Sequence, residues 1–184
     1  QEEEPQNTIE PVTQIAEEAS SDAHPIELNI DPKRHEEIRS SYKDEQDKEN
    51  ERRIRMVVEY IHFYMPRIAD EETVNHVCNE VSNWMNKNNY KPKPIKRRLT
   101  QDISNIPLRH FIWNIAERCM YKRYYNGDNR ARFVKELFPR EFAETDIATI
   151  KNFKVDPLKS PIPIDEPEDG KPDFHYPNGY LRKE

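Results

Sequence analysis

With 184 residues, 34% of them hydrophobic and 35% charged, and a net charge of −6, the chain holds apolar material for one core; ordinary domains run at roughly 45–50% apolar and about 25% charged. Three glycines against fifteen prolines exclude the sandwiches, barrels and nucleotide-binding βα units that need glycine at tight turns and phosphate loops. No apolar run approaches the roughly 18–20 residues of a membrane span and the acidic start is no signal peptide, so the expectation is a soluble, all-α protein: a small four- to five-helix domain with long extended N- and C-terminal arms.

Charge is segregated along the chain. Residues 1–51 carry −11, residues 52–140 carry +9 and residues 141–184 carry −4. Residues 1–31 hold nine carboxylates, and nothing basic precedes Lys33. Such a stretch cannot bury enough apolar surface to offset its ordering entropy, so 1–31 is expected to be an acidic, disordered arm that either stays solvated or folds back on the basic centre.

A helical domain is expected over 32–155, with its core from about residue 52. Asp31 before Pro32 marks the start of the first helix, a carboxylate cap followed by a ring whose φ suits the first helical position. Glu49–Arg53, Glu51–Arg55 and Arg55–Glu59 stand at i,i+4 spacing and support the second half of this helix; the part before Asn50 is expected to fray or stand free. Ile54, Val57, Val58, Ile61 and Met65 then form one apolar stripe that Pro66 ends. Asp70 caps a second helix with the stripe Val74, Val77, Cys78, Val81, Trp84 and Met85, and the two helices pair as a hairpin.

Residues 86–98 combine turn formers, Pro92, Pro94 and six cations, which predicts a basic loop. A third helix is expected from Pro107 to Tyr125, with Leu108, Phe111, Ile112, Ile115 and Cys119 inward and a stop at Asn126–Gly127. Asp128 is the expected cap of a short fourth helix carrying Phe133, Val134, Leu137 and Phe138; a weaker fifth spans Thr145 to Phe153. Six prolines between Val155 and Pro177 predict an extended tail over 156–184 with no packed element. Within it Phe174, Tyr176, Tyr180 and Leu181, around an Asn178–Gly179 turn, are candidate partner-anchoring residues.

Motifs of known chemistry are missing from the sequence: it has no phosphate loop, nucleophile elbow or dinucleotide fingerprint. His24, His35, His62, His76, His110 and His175 stand at no metal-ligand spacing and are expected on surfaces or rims; His76, Cys78 and Cys119 are the one set that folding alone could gather. Most carboxylates lie in the two arms, where a general acid and base are hard to hold rigidly. No catalytic residue, metal, cofactor or small-molecule substrate is expected. Cys78 and Cys119 are expected as buried, reduced thiols, which favours a reducing compartment.

Two binding readings follow. The flanking arms favour a non-enzymatic accessory or scaffold subunit of a larger assembly, with other protein subunits as partners. The alternative is binding of RNA or single-stranded DNA, in which Lys87, Lys91, Lys93, Lys96, Arg97, Arg98, Arg118, Lys122, Arg123, Arg130, Arg132 and Arg140 neutralise phosphates. Tyr90, Tyr121, Tyr124 and Tyr125 would stack on bases.

Overall fold

The computed structural model describes residues 31–99, 104–152 and 160–177. The acidic arm through residue 30, Phe153, the Asn178–Gly179 turn, Tyr180 and Leu181 lie outside the described residues. Among those described there are five α-helices and no strand: α1 (Pro32–Tyr64), α2 (Glu71–Asn86), α3 (Ile106–Ala116), α4 (Gly127–Leu137) and α5 (Ile147–Lys151).

Asp31 opens α1 by accepting from the Lys33 amide at 3.0 Å. The helix then runs unbroken for 33 residues, so the charged first half is continuous with the core half. Its ladder includes Glu49, which holds both Arg52 (2.8 Å) and Arg53 (2.7 Å). Pro66 falls in a 3-10 turn, Met65–Arg67, and Asp70 caps α2 through the Thr73 amide at 2.8 Å. The α2 stripe is buried as its spacing predicts: Val74, Val77, Cys78, Val81, Trp84 and Met85 all join one core with Val57, Tyr60, Ile61 and Tyr64 of α1.

The third helix ends at Ala116, nine residues before the expected Tyr125. No glycine or proline lies between, so the break comes from tertiary demands. Tyr125 is drawn back to donate its hydroxyl to the Met85 carbonyl (2.7 Å) and to the Trp84 carbonyl (3.1 Å), which also accepts from the Lys87 amide at the end of α2. Its edge meets the Trp84 indole, and a short 3-10 turn, Lys122–Tyr124, carries the chain there. The cap of α4 is also shifted: Asn126, expected to stop α3, accepts from the amides of Asp128 and Asn129, and Gly127 is the first helical residue.

Two non-helical segments are part of the packing. The basic loop is a strap between α2 and α4, burying Pro92, Ile95 and Leu99, with the Ile95 amide donating to the Leu137 carbonyl at 2.9 Å. The tail is extended as expected, yet it is packed: Ile162, Asp165 and Pro172 are buried, and residues 160–177 lie across α1 and α3.

Candidate docking surfaces

The head of the molecule begins where α1 meets the end of α2, marked by Asn50 donating to Asn86 at 2.9 Å. From Pro32 to Glu45 α1 stands off the head for about 21 Å, at roughly 1.5 Å per residue. Nearly every side chain there is exposed, including two large apolar ones, Ile38 (59%) and Tyr42 (63%). They lie one turn apart on one face, and the next position on it, Gln46, accepts from the Tyr121 hydroxyl at 2.9 Å. Tyr121 and Tyr124 are themselves exposed and meet edge to face, 6.2 Å between centroids. The free stripe thus runs into an aromatic shoulder, and a groove of about 360 Å³ lined by Gln46, Asn50, Met120, Tyr121 and Tyr124 fills the corner.

The strap divides the predicted nucleic-acid residues. A buried carboxylate, Glu80, clamps it by accepting from the Tyr90 hydroxyl (2.9 Å) and the Lys93 amide (2.7 Å), while His76 Nε2 lies 2.9 Å from the Lys93 carbonyl. With Tyr90 held inward, Lys87, Lys91, Lys93, Lys96, Arg97 and Arg98 remain exposed. Arg97 is engaged by Asp70 (2.8 Å) and Glu72; the strap and the start of α2 enclose a groove of about 520 Å³. Beyond the strap, Lys122 pairs with Glu117 (3.0 Å), Arg123 lies over the Tyr124 ring (4.7 Å) and Arg130 donates to the Lys151 carbonyl (3.2 Å). Arg132 and Arg140 are exposed on and just after α4.

Arg118 belongs to neither surface, which corrects its place among the predicted phosphate contacts. It is fully buried, 3.1 Å from the Asp165 carboxylate, and it donates to the Asn114, Asp165 and Asp173 carbonyls. Burial pulls its pKa down, with the Asp165 charge opposing. A phosphate cannot reach this guanidinium while the tail is in place.

Arg118, just past the end of α3, is the last of three polar residues at four-residue spacing, after His110 and Asn114 on the helix. All three are buried, correcting the expectation that His110 sits on a rim, and all three grip the tail. His110 Nδ1 donates to the Ile162 carbonyl at 2.8 Å. Asn114 donates to the Pro163 carbonyl (2.8 Å) and accepts from the Asp165 amide (2.9 Å). Sequence reasoning passed over this ladder; its signal was a polar row at helical spacing on a helix that is otherwise apolar apart from Arg109.

The tail's aromatics are engaged within the chain. The Phe174 ring stacks on Tyr60 (4.1 Å between centroids) with Arg118 4.1 Å above it, and Tyr176 meets Phe63 edge-on at 5.0 Å. The Asp165 carboxylate also accepts from the His175 amide (3.0 Å) and lies 2.6 Å from His175 Nδ1. Phe174 and Tyr176 therefore anchor this chain's own tail.

The thiols are apart: Cys78 Sγ is 3.7 Å from His62 Nε2, and Cys119 faces the Ile115 carbonyl. Among the described residues no three His, Cys, Asp or Glu side chains are grouped to hold a metal ion, and no helix is long and apolar enough to cross a membrane. Comparison with protein-family models, curated proteins and solved structures finds no match to this chain.

Proposed function

We propose that this chain is a non-enzymatic docking subunit of a larger assembly, whose head holds out the free half of α1 for a protein partner. The observation that carries this reading is the Ile38–Tyr42 stripe. Single exposed apolar residues are ordinary, but here two share one helix face and lead into Tyr121 and Tyr124. A polar helix of about eighteen residues is marginal alone in water; continuity with the core half and the Glu49–Arg52–Arg53 ladder keep this one formed and pre-organised for binding.

The test is recovery of the tagged full chain from its native source, with nuclease, as wild type and as the variant Ile38→Asp/Tyr42→Asp. A fixed protein set that co-purifies with the wild type and is lost with the equally stable variant supports the reading. Recovery of the same set with both overturns it.

A second reading, binding of single-stranded nucleic acid, is favoured by one observation: Lys91, Lys93 and Lys96 are exposed along an extended strap, a row suited to a phosphate backbone. The withdrawal of Arg118 and the pairing of Arg97 weaken it. Salt-dependent oligonucleotide binding abolished by Lys91→Glu/Lys93→Glu/Lys96→Glu would put it first.

A further inference from the structure

We propose that the exposed lysine row of the strap, Lys91, Lys93 and Lys96, is the docking surface for this chain's own N-terminal segment, and that the carboxylates furthest from α1, Glu2, Glu3, Glu4 and Glu10, occupy it. This concerns a different face from the free half of α1 and stands apart from the reading of that half.

The sign of charge is uniform on each side. Residues 86–98 carry six cations and no carboxylate, while residues 1–30 carry eight carboxylates and no lysine or arginine. Attraction between them therefore holds in any register and either direction. Within the strap, Arg97 is taken by Asp70 and Glu72. Lys91, Lys93 and Lys96 are exposed and have no ion-pair partner among the described residues. The carboxylate beneath them, Glu80, is buried and occupied by the Tyr90 hydroxyl and the Lys93 amide. The cations nearest to the segment along the sequence compete poorly: over 32–49, five of them are interspersed with six carboxylates, and Arg39 already lies 3.9 Å from Glu36.

Distance sorts the carboxylates. The Asn50–Asn86 contact, where α1 meets the end of α2, is about 28 Å of helix from Asp31 at roughly 1.5 Å per residue. From there the strap runs back along α2 to the Arg97–Asp70 pair, which sets the lysine row between about 30 and 50 Å from Asp31. An extended chain spans at most about 3.3–3.6 Å per residue. Glu27 therefore falls short, Glu17 and Glu18 arrive only near full stretch, and Glu10 and the run Glu2–Glu4 arrive with length to spare. Because both sides belong to one chain the contact is intramolecular, and a polyanion bound for the strap must first displace it.

The experiment places a spin label at Asn7→Cys in the isotope-enriched full chain and reads paramagnetic broadening of backbone amides. Cys78 and Cys119 are buried, and wild-type protein carried through the same labelling reports any reaction at them. Broadening is expected to be strongest over Lys91–Lys96. It should fall about fivefold in Lys91→Gln/Lys93→Gln/Lys96→Gln, the loss of three weak surface pairs, and equally in about 1 M salt, where the Debye length is about 3 Å. Broadening strongest at the start of α1, or unchanged by the triple variant, overturns the proposal. So does broadening of the strap in an enriched, unlabelled chain mixed with a spin-labelled, unenriched one, since the segment would then lie on a second copy.

Discussion

Arg118 and Asp165, 47 residues apart, meet inside the protein with Nη2 3.1 Å from Oδ1, the arginine fully buried and the aspartate nearly so. Taking two charges out of water is costly; carbonyls occupy both Nη groups of Arg118 and the His175 amide donates to Asp165, while Arg118 Nε is left buried without a partner. Removing one partner strands the other: Arg118→Met should destabilise the protein by about 3–5 kcal/mol, a large share of the roughly 5–15 kcal/mol of an ordinary domain. Urea unfolding of Arg118→Met, Asp165→Leu and the double variant checks this. The double variant should be less destabilised than the sum of the singles.

Phe174 is half-buried between Tyr60 and Arg118, so its truncation should cost less than the roughly 3–5 kcal/mol of a fully buried phenylalanine, about 2 kcal/mol. Phe174→Ala is expected to speed proteolysis within 160–177 ahead of any cleavage in α1–α4. Limited digestion followed by mass spectrometry measures the order of cuts, and simultaneous loss of head and tail would contradict it.

Both thiols should be inert in the native protein. Burial pushes Cys78 up to about 11 and Cys119 upward too, so neither offers thiolate near neutral pH. A thiol-reactive chromophore should label neither cysteine at pH 7.5 and both after urea is added. Fast labelling of Cys78 in the folded state would mean that the His62 side of α2 opens.

Two carboxylates make stability fall in acid. The Arg52 hydrogen bond, supported by Arg53, lowers Glu49 to about 2, and bonds to Thr73 and Arg97 lower Asp70 to about 2. Each is more acidic folded than unfolded, where carboxyls titrate near about 4. Their stabilisation is therefore complete above about pH 4.5 and is lost as pH falls toward 2. Chemical denaturation at steps from pH 6 to 2.5 should show this decline, with a shallower slope in Glu49→Gln and in Asp70→Asn.

The helices were legible where local chemistry decides them. Asp31–Pro32 and Asp70 cap as their residue types predict, and the α1 and α2 stripes are buried at their predicted spacing. What escaped the sequence is set by contacts distant along the chain. Nothing local tells α3 to stop at Ala116, because Tyr125 is drawn to carbonyls forty residues earlier. Ile95 looks isolated among lysines and prolines, yet it seats the strap through Leu137. The tail's composition reads as solvated because much of what holds it is main chain, gripped by a polar row on α3. For the surfaces, the sequence places the cations but not their pairing; the exposed lysine row, the engaged Arg97 and the buried Arg118 are distinguishable only in three dimensions.

The grip on the tail has a consequence for how this sequence can drift. His110, Asn114 and Arg118 address the carbonyls of Ile162, Pro163, Asp165 and Asp173, which every residue type supplies, and the Asp165 amide, which every type except proline supplies. Substitutions at Pro163, Ile164 or Glu166 leave those bonds in place, whereas a single change on α3 releases a whole stretch of tail. Variation among homologues should therefore concentrate in the extended segment that is held and spare the three side chains that hold it.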